Sequence, residues 1–148
     1  MRLWRISNHA ELSGEGGLHA SGRWHSKGRR VVYLADHPAS ALLETLVHLE
    51  IDVEDLPTHY QLLAVDAPDD IAVTLLDEAT LPADWRDQLA VTRARGDEWL
   101  GGGATALLQV PSAIVPAARN ILLNPSHRDS MRIAVAPIMR APFDRRLV

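Results

Sequence analysis

Val31-Val32-Tyr33-Leu34-Ala35, then Asp36-His37-Pro38, then Ala39-Ser40-Ala41-Leu42-Leu43-Glu44-Thr45-Leu46-Val47-His48 is the stretch where the residue period changes. The first five residues alternate as a strand does, sending Val31, Tyr33 and Ala35 to one face and Val32 and Leu34 to the other. Asp36-His37-Pro38 then reads as a helix start, a polar cap candidate followed by a proline in the first turn. The pattern predicts a helix from Pro38 to Ile51. Leu42, Leu43, Leu46, Val47 and Leu49 fall on one broad apolar face. Ser40, Glu44 and His48 stack at i, i+4 and i+8 in a narrow polar stripe. A carboxylate between a hydroxyl and an imidazole suits the edge of a site. It equally suits an exposed stripe on a surface helix, and spacing alone leaves both open.

Upstream, Met1 to Ile6 reads as a strand and His9 to Ser21 as a polar loop broken by Gly14, Gly16 and Gly17. Gly22 to His25 and Val31 to Ala35 read as the arms of a β-hairpin turning at Ser26-Lys27-Gly28. Arg23 on one arm is then within reach of Tyr33 on the other. Downstream, strands are expected at Tyr60–Asp66 and Ile71–Leu75. A second helix is expected from Asp84 to Leu100, stopped by Gly101-Gly102-Gly103, with Trp85 and Trp99 in the core and Asp84, Asp87, Asp97 and Glu98 on its solvated side. Short strands follow at Ala106–Val110, Ile114–Val115, Asn120–Leu123 and Met131–Met139, punctuated by prolines. Two helices and six to eight strands without strict βαβ alternation predict a single α+β domain over residues 1–148.

Composition narrows the function classes. At 148 residues, 47% hydrophobic and 23% charged, the chain is long enough to bury a full core and is neither disordered nor fibrous. No apolar run approaches the ~20 residues of a membrane span, and Met1-Arg2-Leu3-Trp4-Arg5 is too polar for a signal peptide, so a soluble cytoplasmic protein is expected. The absence of cysteine excludes disulfides, thiolate nucleophiles and Cys-based zinc sites. A net charge of −4 argues against a broad nucleic-acid face. Arg23, Lys27, Arg29 and Arg30, with Trp24 and His25 among them, form a local basic patch suited to a small anionic ligand or to a solvated rim.

Most motif searches end quickly. There is no H-E-x-x-H, and the seven histidines show no metal-ligand spacing. The glycine loops at Gly14-Glu15-Gly16-Gly17 and Gly101-Gly102-Gly103 have no Walker or dinucleotide pattern. Ser112 follows Pro111 but lies in no G-x-S-x-G elbow, and an Asp36/His127/Ser112 triad is only nominal.

Several segments, taken in order, carry more. They are Leu3-Trp4-Arg5, Gly22-Arg23-Trp24-His25, Val31 to Ala35, Ala41 to His48 and Gly96-Asp97-Glu98-Trp99-Leu100. Val110-Pro111-Ser112-Ala113, Asn120, Leu123-Asn124-Pro125, His127 and Asp144-Arg145-Arg146-Leu147 complete the series. Almost end to end, the chain resembles the RES-domain family, the toxin half of bacterial RES/Xre toxin–antitoxin pairs. The family's eponymous Arg, Glu and Ser correspond to Arg23, Glu44 and Ser112, with Ser40 and Ser126 as nearby alternatives for the serine. His25 departs from the Asn often found after the tryptophan and is not carried over as a site residue.

The resemblance implies an ADP-ribosyltransferase-like split β-sheet core with flanking helices, and an Arg-Tyr-Glu set around NAD+. It implies a growth-arresting toxin that consumes NAD+ as substrate, by glycohydrolysis or phosphorolysis, or that passes ADP-ribose to a protein. No metal is expected. Arg23, with Arg5 as second choice, would hold the pyrophosphate in a two-pronged grip. Tyr33 would face the nicotinamide or its ribose, its hydroxyl an orienting donor. Glu44 would hold the ribose hydroxyls and stabilise the oxocarbenium-like charge. Ser112 would bond the nicotinamide amide or a ribose hydroxyl. The implied partners are an Xre-like helix-turn-helix antitoxin over the cleft and a second toxin copy, with no direct nucleic-acid or membrane contact. Two other classes compete: a metal-free ribonuclease toxin using His25, His127 and Arg23, and a non-catalytic interaction module docking through the basic hairpin.

Overall fold

A computed structural model describes residues 1–49, 54 and 56–148. Among the described residues, alternation builds seven strands: β1 (Arg2–Ile6), β2 (Val32–Ala35), β3 (His59–Asp66), β4 (Val73–Leu75), β5 (Leu107–Pro111), β6 (Arg119–Leu123) and β7 (Ala134–Pro142). They join in the order β4-β5-β6-β2-β1-β3-β7, with β4 and β5 parallel and every other pair antiparallel. β1 and β2 meet at a single register pair, Trp4 with Ala35, whereas β1 and β3 are paired at five positions. The sheet therefore divides into a four-stranded and a three-stranded half hinged at that pair. This is a single α+β domain with a mixed sheet and flanking helices.

Alternation assigns the two faces. Leu3, Val32, Leu34, Leu63, Val65, Ile121 and Leu123 enter one core, shared by both halves. Val31, Leu108, Val110 and Leu122 enter another, closed by Trp24, Leu81, Trp85 and Trp99. Tyr33 packs against this second cluster, opposite Val32 and Leu34, as the period predicts.

Helices α1 (Gly16–His19), α2 (Pro38–His48) and α3 (Leu89–Gly102) flank the sheet. The α2 start is built as expected: Pro38 opens the first turn, and the His37 side chain caps it by accepting from the Ala39 N–H at 3.1 Å. The helix ends at His48, three residues short of the expectation, with Leu49 already extended; residues 50 and 51 lie outside the described residues. Its apolar face is not a core face throughout, since Leu43 is 39% and Val47 58% exposed. The residue α2 buries is the small Ala41, which brings the backbone close to the sheet.

Four other expectations are corrected. The hairpin does not form: Gly22 and His25 make only an isolated bridge with each other, and β2 pairs with β6 and β1 instead. α3 begins at Leu89 rather than Asp84, because Trp85–Asp87 is a separate 3-10 turn that seats Trp85 against Trp24, ring centroids 5.8 Å apart. Ile114–Val115 is turn, not strand, and Met131 lies in the 3-10 turn Arg128–Arg132 before β7.

The hairpin fails because α3 claims its first arm. Thr92 Oγ1 donates to the Arg23 carbonyl at 2.6 Å, and Arg93 Nε to the Gly22 carbonyl at 2.8 Å. One turn on, Gly96 lies so close to Trp24 that any Cβ there would stand 1.6 Å from the Trp24 carbonyl oxygen. Asp97 then accepts the Ser26 N–H at 2.9 Å. Residues 92, 93, 96 and 97 are one face of a helix, so α3 holds segment 22–26 almost residue by residue. Asp97, read as a solvated charge, belongs to this seam. Burial alone would raise its carboxyl, but the Ser26 hydrogen bonds and the Arg29 charge outweigh that and hold it below the usual carboxylate range.

Candidate active site

A cleft of about 540 Å³ opens where the sheet divides, a size typical of small-molecule sites. It is lined by β1 and β2 around Trp4 and Ala35, by α2 at Ala41, Glu44 and His48, and by the glycine-bearing segment 14–25. Ala113, Ile114 and Asn120 close its far end. Arg23, Tyr33 and Glu44 all line it, three residues from three separate elements.

Glu44 is held by the sheet. β6 pairs Asn120 with Ala35 on one side and Val110 on the other, so all three share the face that Tyr33 occupies. From there Asn120 Nδ2 donates to Glu44 Oε1 at 2.8 Å. Ser112 Oγ, just beyond the end of β5, also bonds Oε1, at 3.3 Å. Of the three serines considered, Ser112 is the one against Glu44; Ser126 N–H instead caps back to Asn124 Oδ1. The polar stripe of α2 is thus a site edge at Glu44.

Tyr33 uses its hydroxyl inward. His25 is buried, 3% exposed, with Nε2 2.8 Å from the Ala20 carbonyl and Nδ1 2.7 Å from the Tyr33 hydroxyl. A carbonyl only accepts, so Nε2 carries the proton; in the neutral ring Nδ1 then accepts the Tyr33 O–H. The same hydroxyl accepts the Trp24 N–H at 3.1 Å. Burial, partly offset by that backbone hydrogen bond, pushes the phenol up to about 12. Tyr33 therefore offers the cleft its ring, and the donor expected for a ligand is spent on His25. His25 itself, set aside on the sequence, fixes the tyrosine. No side chain fits at Gly22, where a Cβ would stand 2.5 Å from the Tyr33 hydroxyl oxygen.

Arg23 spans the cleft wall. Its Nη1 donates to the Arg86 carbonyl at 2.9 Å, and its guanidinium carbon lies 5.9 Å from the Trp85 ring centre, so one prong is anchored and the other edge is left for a ligand. The other cations are differently engaged. Arg5 lines the cleft, but strand alternation sends its side chain to the Leu3 face, where Nη1 donates to the Glu11 carbonyl at 3.3 Å. Arg29 pairs with Asp97 at 3.3 Å, and Arg30 donates to the Ser13 carbonyl at 3.2 Å. His127 is outside the cleft lining and caps the following 3-10 turn by accepting the Asp129 N–H, so it does not converge with His25. Among the described residues, no three His, Asp or Glu side chains gather as a metal site, and no helix is long and apolar enough to cross a membrane.

The family model described as the RES domain matches residues 2–144. The chain belongs to the RES-domain family. "Toxin Res" of Pseudomonas putida is 51% identical over 130 residues, 86% of each chain. The "Prs ADP-ribosylating toxin" of a Sphingobium species is 35% identical, covering 99% of this chain and 96% of that one. Among solved structures, the M. tuberculosis MbcT-MbcA toxin-antitoxin complex contains a chain that superimposes with a TM-score of 0.71. That match covers 99% of this chain and 85% of the other at 17% identity, a likeness of fold.

Asn120 is a site residue to which sequence reasoning gave no role, and His25 is one it considered only for the ribonuclease alternative. Asn120 stood within the family motifs without a role, and its place in that motif series was the available signal; its position opposite Ala35 came only with the structure. His25 gave none, since nothing local says that its ring is enclosed between Ala20 and Tyr33.

Proposed function

We propose that this RES-domain protein is a growth-arresting toxin that cleaves the nicotinamide–ribose bond of NAD+. The observation that carries the reading is Glu44, a carboxylate held at one oxygen by two side chains and lining a cleft shared with Arg23 and Tyr33. The scissile bond breaks with its electron pair going to nicotinamide, which leaves neutral and needs no general acid. The ribose carbon develops oxocarbenium character, which a fixed carboxylate stabilises through charge and through the ribose hydroxyls. Arg23 takes the pyrophosphate with the part of its guanidinium not bound to Arg86. The Tyr33 ring packs against the nicotinamide end.

Water or inorganic phosphate attacks the ribose carbon, losing a proton, to give ADP-ribose or its phosphate ester. A protein nucleophile in the same position gives an ADP-ribosylated target, the activity named for the Sphingobium relative. The cleft's open edge, with Val47 58% exposed on α2, suits a protein antitoxin that closes it, as the antitoxin complex of the structurally similar chain supports. The DNA-binding helix-turn-helix part of an Xre-like antitoxin would leave this acidic chain free of nucleic acid, and a second toxin copy completes the expected complex.

Purified protein incubated with NAD+, with and without phosphate, should release nicotinamide. Glu44→Gln should lower that rate by about a hundredfold or more, as for the loss of one main transition-state contact. A Glu44→Gln protein that arrests growth as well as wild type without antitoxin would refute the mechanism.

A further inference from the structure

Ser112 has no hydrogen-bonding capacity left for a ligand. The residue is 4% exposed, and its hydroxyl accepts two backbone donors, the Ile114 and Val115 N–H groups, each at 3.1 Å. A serine oxygen has two lone pairs and one proton. With both lone pairs taken, the proton goes to the remaining partner, Glu44 Oε1 at 3.3 Å. The turn at residues 112–115 is thereby tied to the carboxylate through one atom.

Asn120 completes the arrangement. Its Nδ2 donates to the same Oε1, while its Oδ1 is buried without a hydrogen-bond partner among the described residues. Turning the amide over would set Oδ1 against the carboxylate oxygen, so the geometry admits one orientation. Burying an amide oxygen unpaired is costly. That cost buys a single, fixed donor toward Glu44. Oε2, by contrast, makes no hydrogen bond among the described residues and is left for the cleft.

We infer that Ser112 and Asn120 are positioning residues that together clamp Glu44 Oε1 and present Oε2 to the ribose, and that Ser112 does not contact the nicotinamide. The inference rests on the proposed NAD+ cleavage for its kinetic consequence, and on the hydrogen-bond geometry alone for its structural one.

Two measurements separate these. Ser112→Ala removes one donor, and Asn120→Asp puts a second carboxylate against Glu44. Nicotinamide release should fall about tenfold or more in the first and a hundredfold or more in the second, in kcat. Affinity for carba-NAD+, an uncleavable analogue, should stay within about twofold of wild type in Ser112→Ala, since a positioning residue touches no substrate. An affinity loss matching the loss in kcat/KM, with kcat kept, would make Ser112 a substrate contact and overturn the inference. Independently of turnover, crystal structures of Ser112→Ala and Asn120→Ala should show the Glu44 carboxylate rotated or spread over several positions. A carboxylate unmoved in both variants overturns the clamp even if wild-type protein cleaves NAD+. Wild-type protein that releases no nicotinamide, with Glu44 displaced in the variants, would count against the proposed function and leave the clamp standing.

Discussion

Replacing Gly96 by alanine adds one methyl group at the tightest approach between α3 and the segment that carries Arg23. The new Cβ would stand 1.6 Å from the Trp24 carbonyl oxygen and 2.7 Å from its carbonyl carbon, backbone atoms that cannot rotate aside. Reaching the 3.4 Å of ordinary contact requires the two backbones to part by about 1.8 Å. The three hydrogen bonds of the seam, at 2.6, 2.8 and 2.9 Å, would all pass beyond bonding range. One is neutral and two involve a charged partner, so their loss amounts to roughly 4 kcal/mol or more. Against the 5–15 kcal/mol typical of a whole domain, that is a large share. At about 2–4 °C per kcal/mol for a chain of this size, Gly96→Ala should melt about 8–16 °C below wild type.

The same helix supplies the control. At Gly101 an added Cβ would meet only the Arg29 Nη1 at 3.7 Å, so Gly101→Ala should instead gain about 0.5–1 kcal/mol from helix propensity. Thermal melts and urea titrations of the three proteins measure both signs. Gly96→Ala should also lose growth arrest, because Arg23 and Trp24 move with the seam. A Gly96→Ala protein melting within about 2 °C of wild type would refute the docking of segment 22–26 on α3.

Arg23→Lys should lose most nicotinamide-releasing activity, because an ammonium cannot hold the Arg86 carbonyl and a pyrophosphate in one planar fork. A near-normal rate would move the pyrophosphate grip to another cation. Tyr33, pushed up to about 12, should titrate well after the exposed-phenol range in a spectrophotometric pH titration. Its folded pKa lies above its unfolded one, so the stability it contributes is complete below pH 10 and is lost as pH rises from 10 to about 12. Tyr33→Phe should remove that alkaline loss, and an unchanged urea midpoint between pH 8 and 11 in wild type would contradict it. The same variant leaves the Trp24 N–H and His25 Nδ1 without their partner, which should cost about 2–4 kcal/mol at neutral pH.

The period change between Val31 and His48 determined β2, the start of α2 and the side of the strand on which Tyr33 lies, because strand alternation and helix capping act over a few residues. The motif series, read in order, determined the family. The tertiary structure decided everything that depends on polar groups far apart in sequence. Glu44 meets Ser112 and Asn120 across 68 and 76 residues, a pairing that leaves no trace in any local period. α3 offered no clear apolar stripe because the face it buries is Thr92, Gly96 and Trp99: Trp99 enters the second core, while Thr92 and Gly96 meet the carbonyl-bearing backbone of segment 22–26. The hairpin expectation failed for the same reason: local turn chemistry at Ser26-Lys27-Gly28 was outweighed by four contacts from a helix about seventy residues away. Local sequence set which way each residue faces, and long-range polar packing set what it faces.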